Sequence, residues 1–222
     1  MSTIDLRLFM RVTALVRKFK RNVADYGWRE ALSKVLARLF GFIYEKRVYR
    51  IYRIDLRKSN LKRSETCDFS FRVLTEDDAD SISQIEAMAE WLEGELAAKI
   101  ANGSLCCVAE DGNRMAGFEL IAFKEVPIPL INRTRALREK EAWSEHIAVH
   151  KDYRRRGLAS QIRRRAFDEL IERSVKKMYG GMLLSNEANL QLARKNGFQE
   201  FVDIHYKKSL GRESWTFKRT KK

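Results

Sequence analysis

The chain is poor in the residues that build unusual architectures. It has 3 cysteines (Cys67, Cys106 and Cys107) among 222 residues, too few for a disulfide framework. Cys106 and Cys107 are adjacent within an apolar run, which predicts buried thiols in a reducing compartment. With 2 prolines and 11 glycines the chain is neither collagenous nor linker-rich. No stretch approaches the ~20 consecutive apolar residues that a membrane-spanning helix needs. The start, MSTIDLRLFMRVTALVRKFK, interleaves charge with apolar side chains and does not read as a secretory signal. The 3 cysteines and 3 histidines lack zinc-ligand spacing. A G-x-S-x-G elbow, a G-x-x-x-x-G-K-S/T loop and a G-x-G-x-x-G turn are all missing. Those absences argue against a serine hydrolase, a nucleotide hydrolase and a dinucleotide-binding fold.

What is present is a soluble folding composition, 45% apolar and 33% charged, which predicts a cytoplasmic protein. The net charge of +14 is unevenly spread. Residues 1–63 carry 17 Lys/Arg against 5 Asp/Glu, and residues 64–222 carry 27 against 25. The basic character therefore belongs to the N-terminal third. There the apolar spacing predicts amphipathic helices over 4–23 and 28–41, then an extended VYRIYRIDL (48–56) and a polar linker (57–66).

From residue 68 the rhythm changes. Strands are expected over 68–74, 143–149, 178–185 and 199–210, and a hairpin over 104–123 turns at Asp111-Gly112. Helices are expected over 75–92, with Thr75 as N-cap, and over 95–103, 154–174 and 186–198. Residues 124–140 read as a polar loop. The order β-α-α-β-β-β-α-β-α-β predicts an α/β fold, a mixed sheet with helices on both faces.

The informative stretch is Ala148-Val149-His150-Lys151-Asp152-Tyr153-Arg154-Arg155-Arg156-Gly157-Leu158-Ala159. A strand ends, a basic turn follows and a helix begins at a glycine. The first turn of a helix presents unpaired N–H groups and partial positive charge, so it is an anion site. Gly157 is expected to let the backbone approach a ligand closely, and Ala159 keeps the next turn small.

Here the sequence resembles the GNAT superfamily of N-acetyltransferases. Arg154-x-x-Gly157-x-Ala159 matches its Arg/Gln-x-x-Gly-x-Gly/Ala signature, and Asn186, Leu192, Gly197 and Phe198 sit in register with a second element about 30 residues on. The resemblance covers roughly residues 68–210. It implies a mostly antiparallel mixed sheet flanked by helices, with 1–63 as a basic helical extension and 211–222 as a basic tail. It also implies acetyl-coenzyme A as acyl donor, held in a wedge between the 143–149 and 178–184 strands. Its diphosphate would take hydrogen bonds from backbone N–H groups over Arg155, Arg156, Gly157, Leu158, Ala159 and Ser160, beside Arg154. Its pantetheine arm would pair along Ile147, Ala148 and Val149, and Asn186 would reach that arm. An unidentified amine would then attack the thioester directly.

An attacking amine must lose a proton, so a general base is expected near the thioester. Strict strand alternation puts Trp143, Glu145, Ile147 and Val149 on one face and His146, Ala148 and His150 on the other. Glu145 is the first candidate base. The structural alternative for it is an ion pair with an arginine of the 132–138 loop. His146 is the second candidate, and His150 and His205 read as ordinary surface or turn residues. The family's acid, a tyrosine that protonates the leaving thiolate, would fall at position 193, where this chain has Ala193. Tyr153, Tyr179, Tyr206 and water are the candidate replacements, and the departure also opens the reading of a non-catalytic acyl-coenzyme A-binding module. Arg163, Arg164 and Arg165 read as the solvated face of the long helix. The basic N-terminal helices fit an anionic membrane surface or self-association, and nucleic acid less well, because they show no base-reading motif.

Overall fold

A computed structural model of the chain describes Trp28, residues 44–57 and residues 68–220. The helices expected over 4–23 and 28–41, the linker over 57–66 and Cys67 lie outside these residues, apart from Trp28 and Arg57. The membrane, self-association and nucleic-acid readings rest on those helices and likewise lie outside the described residues. By internal contacts the chain divides into residues 47–205 with 216–222 and, separately, residues 1–46 with 206–215.

The larger unit is an α/β sandwich on one sheet. Its strands are β1 (Tyr44–Asp55), β2 (Ser70–Val73), β3 (Leu105–Asp111), β4 (Arg114–Ala122), β7 (Glu141–Val149), β8 (Lys177–Leu183), β9 (Gln199–Ser209) and β10 (Arg212–Arg219), in the order β10-β9-β1-β8-β7-β4-β3-β2. The outer ends of β1, β9 and β10 fall in the smaller unit. A separate two-stranded piece, β5 (Glu125–Ile128) with β6 (Arg133–Ala136), replaces the loop expected over 124–140. The helices are α1 (Ala79–Met88), α2 (Leu96–Ala101), α3 (Leu158–Glu172) and α4 (Glu187–Lys195).

β3 and β4 are apolar through most of their length, as strands covered on both faces must be. Cys106, Val108, Phe118 and Leu120 pack with Ile82, Ile85 and Leu96 of α1 and α2. Cys107, Ala109 and Ile121 pack with Leu158, Ile162 and Phe167 of α3. Each fully buried side chain of this size contributes about 1.5–3 kcal/mol of transfer free energy. The two thiols are buried as expected, and burial pushes Cys106 up to about 12. Such a thiol carries almost no thiolate at neutral pH and is a packing group.

The segment expected to be extended over 48–56 is β1, which joins this sheet, so the part of the basic extension over 44–55 is strand and not helix. β1 runs antiparallel to β8, with Tyr49 opposite Leu183, Tyr52 opposite Gly180 and Asp55 opposite Lys177. Its alternation explains the placement: Ile51, Tyr52, Ile54 and Leu56 are buried, and Arg50 is neutralised by Asp203 and Glu200 of β9. A methyl group on Gly181 would overlap the Tyr49 ring, so this pairing uses the missing side chain. Within the basic tail expected over 211–222, residues 212–219 form β10. Thr75 does not cap α1. Asp78 stands at that position and accepts hydrogen bonds from the Thr75 amide at 2.7 Å and hydroxyl at 2.9 Å.

In the smaller unit, the described residues show a turn at Leu210 and Gly211, both with positive φ, and Lys208 paired with Glu213.

Candidate active site

The site begins where two parallel strands part. β7 and β8 pair from Glu141 opposite Lys177 to Ser144 opposite Gly180. Beyond that point β8 stays with β1, while β7 continues to Val149 paired only with β4. One backbone edge of residues 145–149 is therefore open. A bulge lies at the parting point: Leu120 pairs with His146 and Ile121 with Ser144, which leaves Glu145 as an extra residue. Such a residue bends its strand and increases the local twist.

The bulge also corrects the expected alternation. Ser144 reaches Arg163 of α3, whereas Glu145 reaches Lys99 of α2 and His146 meets Trp91 beyond α1. Glu145 and His146 thus share one side of the sheet although they are consecutive.

A cavity of about 500 Å³ lies along the open edge. Of the expected cofactor residues, Ile147, Ala148, Val149, Arg154, Arg155, Gly157, Leu158, Ala159 and Ser160 line it. Arg156 does not; its guanidinium sits 5.8 Å from the Tyr153 ring centre. Among the described residues, the amides of Arg155, Arg156, Gly157, Leu158 and Ala159 have no hydrogen-bond acceptor in the chain. The Ser160 amide is different: it donates to the Gly157 carbonyl at 3.0 Å, and the Ser160 hydroxyl accepts from Asn196 at 3.2 Å. The cradle is therefore five free N–H groups at a helix N-terminus, the arrangement a diphosphate needs. Gly157 is required for its φ of +76° rather than for crowding, since a Cβ there would meet nothing within 4 Å. Arg155 adopts φ +66°, so the turn holds one strained non-glycine residue.

A second cavity, about 270 Å³, shares Ile147, Asn189 and Leu192 with the first and opens into the wedge between β7 and β8. Glu145, His146 and Trp91 line one side of it, and Tyr52, Arg163, Ala193 and Phe198 line the other. The Glu145 carboxylate accepts from Lys99 Nζ at 3.2 and 3.4 Å, so its partner is this lysine and not an arginine of the 132–138 loop. Burial holds the His146 imidazole below its ordinary value of 6.5; Lys99 adds to the effect and Glu145 and Glu95 partly offset it. His146 is therefore a neutral imidazole at pH 7. Asn186 lines this cavity while capping α4, its side-chain oxygen accepting from the Asn189 amide at 3.3 Å.

Beneath the second cavity is a group that residue spacing alone did not reveal. Glu119 is fully buried and Arg163 is 4% exposed. Arg163 donates to Glu119 at 2.7 and 3.1 Å and to Ser144 Oγ at 2.9 Å, and Ser144 donates to Glu119 at 2.6 Å. The expectation that Arg163 lies on a solvated face is corrected: it neutralises a carboxylate inside the sheet. The signal was the lone charge in MAGFELIAF, which demands a buried cation somewhere else in the chain.

None of the three tyrosines considered for position 193 replaces it. Tyr153 donates to Asp111 at 2.9 Å and Tyr179 to Glu141 at 3.1 Å, both outside the second cavity, and Tyr206 lines neither cavity. Among the described residues no cluster of His, Cys, Asp and Glu could hold a metal ion. No described helix is long and apolar enough to cross a membrane.

The split parallel pair is thus followed by a helix whose first amides are free, and comparison with known proteins shows the family to which the chain belongs. The model of the Acetyltransferase (GNAT) family matches residues 60–198, and the chain belongs to that family. Its fold is shared by a GCN5-related N-acetyltransferase from Sphaerobacter thermophilus, at 16% identity and TM-score 0.54, covering 80% of this chain and 56% of that one. A glucosamine N-acetyltransferase region in a fungal multi-domain GH3 beta-N-acetylglucosaminidase is similar at 14% identity and TM-score 0.56, covering 78% of this chain and 22% of that one. An acetyltransferase of the GNAT family from Novosphingobium aromaticivorans is similar at 16% identity and TM-score 0.50, covering 80% and 68%. The chain thus spans little more than half the length of the first of these proteins. None of the curated proteins compared matches it. β1, which supplies Tyr52, lies outside the residues that the family model matches.

Proposed function

We propose that the protein transfers an acetyl group from acetyl-coenzyme A to a primary amine by direct attack on the thioester. The observation that carries this reading is the row of acceptor-free amides from Arg155 to Ala159, all but Arg156 belonging to residues that line a cavity adjoining the wedge. The diphosphate would lie on those amides, with Arg154 and Arg155 adding positive field. The pantetheine amides would pair with the open edge at Ile147–Val149 as an added strand would. Asn186 keeps its side-chain nitrogen for that arm while its oxygen caps the helix. The thioester would then reach the second cavity.

There Glu145 takes a proton from the nitrogen of the attacking neutral amine, directly or through a water, and Lys99 fixes the orientation of the carboxylate. His146, uncharged beside it, is the alternative base. Trp91, 49% exposed at this side, would stand against the incoming amine. Release of thiol from acetyl-coenzyme A in the presence of an amine panel tests the reaction, with calorimetry of coenzyme A alone alongside. One observation favours a second reading, an acyl-coenzyme A-binding module: the family's tyrosine is replaced by Ala193, 1% exposed. Binding without thiol release from any amine would select that reading.

A further inference from the structure

Tyr52 lines the second cavity, and nothing in the protein uses its hydroxyl. Tyr52, on β1 opposite Gly180, is fully buried, and its Oη has no hydrogen-bond partner. Leaving such a group unpaired costs free energy unless something else satisfies it. The ring packs with Leu190, Ala193 and Phe198, and Tyr52 lines the same cavity as Ser144, Gly180 and Ala193. A tyrosine thus lines the cavity in whose wall position 193 is an alanine, and it arrives from a strand far away in sequence. The charged groups around it are Arg50 on its own strand, Glu200 on β9, Arg194 on α4 and Arg163 at the cavity wall. Arg50 approaches the hydroxyl outside hydrogen-bond geometry and is committed to Asp203 and Glu200.

We infer that Tyr52 is the acid of this site: its hydroxyl delivers the proton that the coenzyme A sulfur takes up as the acyl group leaves. This rests on the acyl-transfer reading above. As the amine nitrogen bonds to the carbonyl carbon, the carbon–sulfur bond breaks and its electron pair goes to sulfur. The Tyr52 proton then forms the S–H bond, and the phenolate recovers a proton from solvent once the products have left. The base carries away the proton lost by nitrogen, so amine and thioester become amide and thiol with nothing left over. Burial raises the Tyr52 hydroxyl above its ordinary value, with Arg50 partly opposing, so the phenol is protonated at neutral pH as a donor must be.

The test is Tyr52→Phe, which removes one oxygen and keeps the ring. Because the hydroxyl has no partner in the free protein, the variant should unfold at the same or a higher denaturant concentration than the parent. Its thiol-release kcat should fall on the order of 10²-fold. The loss should shrink with an acyl donor whose thiol has a lower pKa, and Tyr52→Phe combined with Ala193→Tyr should recover part of the rate. A second readout needs no turnover. The parent should bind coenzyme A several-fold more tightly than desulfo-coenzyme A, and Tyr52→Phe should abolish that preference. Unchanged kcat in Tyr52→Phe, or a coenzyme A preference that survives it, overturns the assignment. If the parent binds neither compound, the acyl-transfer reading itself fails and takes this one with it.

Discussion

The two cavities that meet in the wedge are built from different materials. The first is mostly main chain: the free amides of Arg155, Gly157, Leu158 and Ala159, an open strand edge, and a glycine whose φ of +76° turns the chain into α3. The second is side chains drawn from β1, the turn after α1, β7, α3 and α4. Backbone groups offer the same donors whatever residue carries them, so the first cavity tolerates most substitutions and depends on conformation. The second depends on the identity of each residue and on pairs that cannot lose one member. On the proposed reading, the same fold would keep a generic grip on the donor and confine chemical choice to the other side of the thioester.

Breaking a pair in the second cavity should have the largest effect. Glu119→Ala leaves Arg163 buried with no carboxylate, and urea unfolding should show a loss of about 3–5 kcal/mol. Replacing both partners with apolar residues of similar volume should restore most of that stability. If Glu119→Ala proves as stable as the parent, the pair is not the floor of this cavity.

Next comes the base. Glu145→Gln should lower kcat on the order of 10²-fold without weakening coenzyme A binding in calorimetry. An unchanged pH–rate profile would remove Glu145 from the mechanism and leave His146 in its place.

The first cavity is probed through conformation. Gly157→Ala forces a Cβ into the left-handed region, at roughly 1–2 kcal/mol, and coenzyme A should bind about tenfold more weakly if that strain falls on the bound state. Arg155→Gly is the informative contrast, because it relieves the φ of +66° and keeps the amide while removing the cation. Coenzyme A affinity retained within a few-fold means that amides dominate the grip; a large loss means that the guanidinium does.

The smallest effect concerns pH. His146 is held below 6.5 in the folded protein, so the unfolded chain binds a proton there that the folded chain resists. Its contribution to stability is complete above about 6.5 and is lost as the pH falls toward the depressed value. His146→Gln should flatten the stability–pH curve in that acid window and leave it unchanged near pH 8.

Legibility in the sequence divides along the same line as the cavities. The stretch from Ala148 to Ala159 announced a strand, a basic turn and a helix start, and those are local features set by a few consecutive residues. Asn186 was readable as a helix start for the same reason. The bulge at Glu145 was not, because it is a mismatch of register between β7 and β4 and exists only once the two strands pair. The expected alternation therefore put Glu145 and His146 on opposite faces, and the ion pair of Glu145 was assigned to the wrong loop. Arg163 read as surface because its partner lies 44 residues away in β4.

The sequence by itself determined the periodicities, the glycine turn and the thiols that had to be buried, because short-range sterics and hydrophobic spacing act between near neighbours. Only the tertiary structure decided that β1 enters the sheet beside β8, that Glu119 and Arg163 neutralise each other, and that Tyr52 and Ala193 line one cavity. Those are meetings between residues far apart in the chain. Burial makes them obligatory, since a charge or hydroxyl removed from water must find a partner, but it does not say from which segment the partner comes.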